Sequence, residues 1–132
     1  RVIGWAMRSR PDVDLVLKAL DMAIASRQPP KGLVHHSDRG VHYTSHRFTR
    51  FLREQGIVAS YSRLANCWDN AVVESFFHTL KTEQPGQYSS RKEARTQLFE
   101  FIEVWYNRQR QHTSLGNVSP AEFETCLQRS VH

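Results

Sequence analysis

The chain has 132 residues, enough for one domain with its own core, and no apolar run in it approaches the ~20 residues a membrane helix needs. Its net charge is +5, and 14 of its 18 basic residues are arginine, whose planar fork of donors suits phosphate, although GC-rich coding DNA produces the same bias. Two cysteines, Cys67 and Cys126, make no disulfide framework and fit a reducing compartment.

The chain opens on Arg1-Val2-Ile3 without an initiating methionine, which fits a fragment of a longer protein. Val2 to Met7 (VIGWAM) reads as a buried strand. Pro11-Asp12 opens a helix with apolar positions Val13, Val16, Leu17, Leu20 and Ile24, which Pro29-Pro30 stops. A short strand over Gly32 to His35 follows and ends at HSDRG. Ser45 caps a second helix with Phe48, Phe51 and Leu52 inward, and Gln55-Gly56 closes it. Ile57 to Ser62 alternates as a strand. A polar loop, Arg63 to Trp68, leads into a helix from about Asn70 to Thr82, broken by Pro85-Gly86. Ser90-Arg91-Lys92-Glu93 has capping-box form, and the long helix behind it carries Ala94, Leu98, Phe101, Ile102 and Trp105 on one stripe. The tail, Asn107 to His132, reads as basic and looped, with a short helical turn near Pro120-Ala121-Glu122. The alternation of strands and helices predicts an α/β fold.

Two acidic residues carry the chemistry. Asp38, in HHSDRG, reads either as a surface turn residue or as a metal-binding carboxylate at a strand end. In the helix DNAVVESFFHTLK, the stripe Val73, Phe76, Phe77 and Leu80 is expected to face the sheet, while Asn70, Glu74, His78 and Lys81 share another face. That face is either solvated or functional. Thirty-five residues separate Asp38 from Glu74. A strand end and the first turn of a returning helix can bring both carboxylates to one spot, where oxygen ligands suit Mg²⁺ or Mn²⁺. Lys81 is then placed to ground a DNA phosphate. Asp69 and Asn70 put acceptors at the helix entrance.

Other groups carry less. His35, His36, Cys67 and His78 fit no zinc spacing. His36 reads as a partner of the Asp38 region or as a surface histidine. Arg47, Arg50 and Arg53 read as a solvated face or as a DNA or subunit contact. Arg108, Arg110 and His112 form a dense basic cluster expected to contact phosphate. Trp5, Trp68 and Trp105 read as core residues, Trp68 standing beside the proposed site.

The segments HSDRGVHYTS (His36 to Ser45), NCWDNAVVESFFHTLK (Asn66 to Lys81) and YNRQRQHTSLGNVSPAEF (Tyr106 to Phe123) occur in this order. Together they resemble the catalytic domain of OrfB-type insertion-sequence transposases, in the retroviral-integrase superfamily with its RNase H-like fold. The 35-residue gap and a basic residue seven after the glutamate, here Lys81, are hallmarks of that superfamily. The resemblance implies that Asp38 and Glu74 are the second and third acidic metal ligands and that Lys81 contacts the DNA end. It implies that Asp69 and Asn70 shape the active-site loop. It further implies two Mg²⁺ or Mn²⁺ ions in the intact parent, transposon-end and target DNA as partners, a homo-oligomer on DNA, and a bacterial cytoplasmic, nucleoid-associated setting. The expected architecture is a mixed sheet with flanking helices, in the order 3-2-1-4-5. Val2 to Met7 takes the place of strand 3, so the first two strands, and with them the first catalytic Asp, have no counterpart. Residues 1–125 are then a partial catalytic domain and 126–132 a tail. The isolated chain is expected to bind metal weakly and to catalyse little or nothing; the alternative is a non-catalytic DNA-binding or inhibitory fragment.

Overall fold

The computed structural model describes residues 1–63, 67–84 and 86–131, with the backbone alone at 67 and 68. The loop read over Arg63 to Trp68 and the break at Pro85 therefore lie partly outside the described residues, as does the Trp68 side chain. The chain divides into two compact units, one formed by Ile3–Glu83 and the other by Arg1–Val2 together with residues from Gln84 onward.

The first unit begins with α1 (Val13–Arg27). Its N-cap is Asp12, whose carboxylate accepts from the Leu15 backbone N–H at 3.0 Å, satisfying one of the donors a helix start leaves open. All five predicted apolar positions of α1 pack against a small core of Phe48, Leu52 and Ile57. Strand β1 (Val34–Ser37) is followed by α2 (His46–Glu54) and β2 (Val58–Tyr61). Ser45 caps α2, accepting from Phe48 N–H. The helix ends in a Schellman motif: Ile57 N–H donates to Leu52 O at 2.8 Å and Gly56 N–H to Arg53 O at 3.1 Å. Gly56 sits at φ 71°, where glycine is favoured. The same turn drives Ile57 against Leu52, so helix termination and core formation are one event.

Strands β1 and β2 pair in parallel, Val34 opposite Val58 and Ser37 opposite Tyr61. Among the described residues they form the whole sheet. One face lies on α2. On the other, Val34 and Val58 are exposed, although parallel sheets ordinarily bury both faces.

Three expectations need correcting here. Val2 to Met7 is not a strand: among the described residues β1 and β2 pair only with each other and share no ladder with it. Instead Gly4 presses on the backbone of α1 near Ala19 and Ala23, closer than any Cβ would allow. The helix carrying Glu74 is α3 (Ala71–Glu83), preceded by a 3₁₀ turn over Cys67–Asn70. It buries no residue; Val73 and Phe77 of its apolar stripe are 55% and 49% exposed. Finally, the tail is looped only in part: Pro120–Val131 forms a 12-residue helix, α5, where a short turn was expected. Its start is a capping box in Ser119-Pro120-Ala121-Glu122. Ser119 N–H donates to the Glu122 carboxylate at 2.8 Å, and Glu122 N–H donates to Ser119 Oγ at 3.3 Å.

In the second unit, α4 (Arg91–Phe99) runs on as a π-helical segment over Glu100–Gln109, closed by Arg110 N–H donating to Trp105 O at 2.6 Å. Ser90 caps α4 through Glu93 N–H, but the Glu93 carboxylate reaches Ser89, not Ser90. The wider turn shifts the helical face. Ala94, Phe101 and Ile102 are buried as expected, but Trp105 is 43% exposed and Asn107 takes the buried place. Asn107, 1% exposed, accepts from Val2 N–H at 2.9 Å and donates to Val2 O at 2.8 Å. Its amide thus does for Val2 what a neighbouring strand would.

Candidate functional site

The site lies in the first unit, where β1 and β2 end and α3 begins. Past Ser37, β1 turns sharply: Asp38 Oδ1 accepts from Gly40 N–H at 2.7 Å. A Cβ at position 40 would come 2.8 Å from that oxygen, so glycine is what lets the carboxylate fold back over the turn. Tyr43 and Thr44 N–H both donate to Gly40 O, at 3.0 and 3.2 Å, leading the chain into α2. Burial, with the Asp38 charge adding, pushes the Tyr43 phenol above its ordinary value.

Ser62 N–H and Oγ both reach Ser37 O, at 2.8 and 3.1 Å, and Arg39 Nε donates to Ser62 O at 3.1 Å. The two strand ends are thus stitched together around Asp38. His36 stands between two hydroxyls, Nδ1 3.0 Å from Ser60 Oγ and Nε2 3.3 Å from Ser62 Oγ. Ser62, 4% exposed, also donates to Asn70 Oδ1 at 2.6 Å. Beside it, Arg63 grips Asp69 with two prongs, Nε to Oδ2 at 3.0 Å and the guanidinium NH2 to Oδ1 at 2.7 Å, while Arg63 N–H adds 2.8 Å to Oδ2. These hydrogen bonds to Arg63 hold the Asp69 carboxyl down at about 2.

Asn70 ends the lead-in turn of α3, and Glu74 lies in that helix's first turn. Asp38 and Glu74 are exposed. Among the described residues neither is claimed by an ion pair, and no direct bond joins them. Lys81 is exposed two turns beyond Glu74 on α3. The predicted His36, Asp38, Asp69 and Asn70 therefore belong to one hydrogen-bonded neighbourhood, with Glu74 following one turn on. Of the predicted phosphate contacts, Arg108 is exposed, Arg110 half-buried, and His112 half-buried with its ring edge against Tyr106 at 4.8 Å; all three lie in the second unit. His35, weighed for zinc, is packed on Phe48 and Tyr43 in the core. Among the described residues no three His, Cys, Asp or Glu side chains cluster to hold a metal.

Ser62 and Arg63, expected only as the end of a strand and the start of a loop, turn out to hold the site together. A buried hydroxyl in a strand end carries no spacing signal. Only the six-residue interval between Arg63 and Asp69, opposite charges flanking a loop, could have hinted at the clasp.

The donor set fits a hard divalent cation in kind: two exposed carboxylates, with oxygen ligands, suit Mg²⁺, which is commonly held by one or two carboxylates, water and substrate phosphate. Strand end, turn and returning helix together define the catalytic-core type of fold found in retroviral integrases. The catalytic core domain of BIV integrase superposes with a TM-score of 0.61 over 95% of this chain and 79% of that one, at 21% identity. Two models, both described as integrase core domain, match residues 1–67 and 55–120. The chain belongs to the integrase core family. Similar sequences include the IS600 uncharacterized 31 kDa protein of Shigella sonnei, 46% identical over 92% of this chain and 46% of its own length. The transposase for IS904 of Lactococcus lactis is 40% identical over 94% of this chain and 50% of its length. Transposase InsF for IS3A of Escherichia coli is 41% identical over 93% and 43%. The chain thus spans about half the length of these curated relatives. No described helix is long and apolar enough to cross a membrane.

Proposed function

We propose that this chain contributes to DNA transposition by metal-dependent phosphoryl transfer, nicking a transposon end and joining it to target DNA, as a fragment that lacks the first catalytic Asp. One observation supports this reading above the others. Asp38 directly follows β1 and Glu74 lies in the first turn of α3, and Ser62 bridges the two, its hydroxyl bonded to Asn70 in the lead-in turn of α3 and its backbone N–H to Ser37 O at the end of β1.

Asp38 and Glu74 would hold Mg²⁺ or Mn²⁺ through carboxylate oxygens, with two ions in the intact parent. Such ions, when bound, supply Lewis acidity toward attacking and leaving oxygens. The chain's own residues do the rest. Gly40 N–H orients the Asp38 carboxylate from behind. The Arg63–Asp69 clasp neutralises a carboxylate that would otherwise compete for the cation. Lys81 meets a DNA phosphate as a point charge. Arg108, Arg110 and His112 contact phosphate from the second unit, and the working form is a homo-oligomer on DNA. No covalent enzyme intermediate is required.

A second reading, DNA binding without cleavage, draws on the net charge of +5 and its arginine excess. One experiment separates them. Mn²⁺ affinity and Mn²⁺-dependent nicking of transposon-end DNA are measured for the chain and for Asp38→Asn and Glu74→Gln. Weak Mn²⁺ binding that falls at least tenfold in both variants supports the cation site. Salt-sensitive DNA binding with no Mn²⁺ dependence favours the second reading. Robust nicking that survives Asp38→Asn removes the assignment.

A further inference from the structure

The chain of hydrogen bonds from Ser60 to Asn70 has a direction, and proton counting supplies it. Ser62 Oγ carries one hydrogen. Three acceptor atoms surround it: Asn70 Oδ1 at 2.6 Å, Ser37 O at 3.1 Å and His36 Nε2 at 3.3 Å. The Asn70 oxygen is nearest and cannot donate, so the hydrogen goes there. His36 Nε2 must then carry its own hydrogen and donate to Ser62 Oγ. That leaves Nδ1 as the acceptor of the Ser60 hydroxyl, 3.0 Å away. The series Ser60 → His36 → Ser62 → Asn70 runs one way.

The consequence lies in α3. No residue of that helix is fully buried, and Val73 and Phe77 of its apolar stripe are about half exposed. Its lead-in turn is tied to the end of β2 by the Ser62–Asn70 bond and the neighbouring Arg63–Asp69 clasp. Ser62 also touches Ser37, the residue before Asp38. Ser62 therefore joins the element bearing one carboxylate to the element bearing the other, through its hydroxyl to Asn70 and its backbone N–H to Ser37 O at 2.8 Å. We propose that Ser62 is a positioning residue: its one hydroxyl hydrogen pins the start of α3, and so Glu74, to a residue whose backbone N–H holds the strand end before Asp38, and the same hydroxyl bond sets His36 in its Nε2–H form. This rests on the reading of Asp38 and Glu74 as cation ligands. Residues that orient ligands without touching the ion commonly change metal affinity 10- to 100-fold when altered.

The test uses the 132-residue chain at neutral pH. Long-range proton–nitrogen NMR of His36 is expected to show the hydrogen on Nε2 in the unaltered protein and in Ser62→Thr, and a mixed tautomer in Ser62→Ala. Mn²⁺ affinity, read from the free-ion electron paramagnetic resonance signal, is expected to fall about tenfold in Ser62→Ala and to recover in Ser62→Thr. Asn70→Ala cuts the same bond from the other side; it is expected to show the same loss, and it serves if Ser62→Ala does not fold. A hydrogen on His36 Nδ1 in the unaltered chain overturns the direction and the proposal. Affinity lost in Asp38→Asn but kept in Ser62→Ala and Asn70→Ala overturns the positioning role and leaves the ligand reading standing. Affinity unchanged in Asp38→Asn removes the ligand reading and the positioning role together.

Discussion

Arg63 and Asp69 meet in a bidentate ion pair, 2.7 and 3.0 Å, that the Arg63 backbone N–H completes at 2.8 Å. The side-chain hydrogen bonds are the main cause of an Asp69 carboxyl held at about 2, against an ordinary 3.8. Because the folded value lies below the unfolded one, the stabilisation is complete above about pH 4 and disappears as pH falls toward 2. Carbon-detected NMR titration of Asp69 should show this, and Arg63→Ala should return the midpoint toward the ordinary value. An unshifted midpoint in that variant would mean that some other group holds the carboxylate.

His35 gives the opposite end of the pH range. Its burial beside Phe48 and Tyr43 is the main cause of an imidazole held below its ordinary 6.5, with the neighbouring His36 charge adding. The unfolded chain binds the proton first, so stability is full above about pH 6.5 and declines as pH falls through the folded value. Urea midpoints measured from pH 8 to 5 should slope downward, and His35→Phe should flatten that slope. An equal slope in the variant would place the titrating group elsewhere.

Gly40→Ala tests the turn at Asp38. The new methyl would stand 2.8 Å from Asp38 Oδ1, which can swing away because it ends a side chain. The fold should therefore survive with at most about 1 kcal/mol lost, roughly the worth of the Gly40 N–H bond. The carboxylate should turn, and Mn²⁺ affinity should fall several-fold. Unchanged affinity would separate that turn from cation binding.

Asn107→Leu leaves the Val2 N–H and C=O without their amide partner. Each unsatisfied group costs about 1–3 kcal/mol when buried, so a fall of about 2–4 kcal/mol is expected in urea denaturation. Asn107→Asp should do little better, since it keeps an acceptor for the N–H but sets a carboxylate oxygen against the Val2 carbonyl. Hydrogen exchange at the Val2 amide should accelerate in Asn107→Leu. Protection equal to that of the unaltered chain would show that another group pairs with Val2.

Where a local rule governs, the sequence was readable. The five apolar positions of α1, the Asp12 and Ser45 caps and the Gly56 stop follow from side-chain period and cap chemistry, and each stands where it was placed. The integrase-type fold was legible through three ordered segments. What escaped depends on partners far along the chain. Val2 to Met7 has the composition of a strand, but a strand needs a neighbour. The α3 stripe has the period of a buried face, but Val73 and Phe77 stand about half exposed. Trp105 left its stripe because the helix widens at Glu100, a change of period that apolar spacing does not encode. The short turn expected near Pro120-Ala121-Glu122 is a full helix, and Ser119 and Glu122, three apart, are its capping box. At the site, strand end and helix turn were legible from Asp38 and Glu74, whereas the hydroxyl and the guanidinium that join them were visible only once distant backbone positions had been brought together.

The Val2–Asn107 bracket also dictates an order of events during synthesis. Its halves lie 105 residues apart, and Val2 belongs with residues from Gln84 onward while everything from Ile3 to Glu83 forms a body of its own. The middle of the polypeptide can mature as soon as it clears the ribosome. The second body cannot close its Val2–Asn107 bracket until translation has passed Asn107, so a stall before that codon would leave the first body mature and the second unformed.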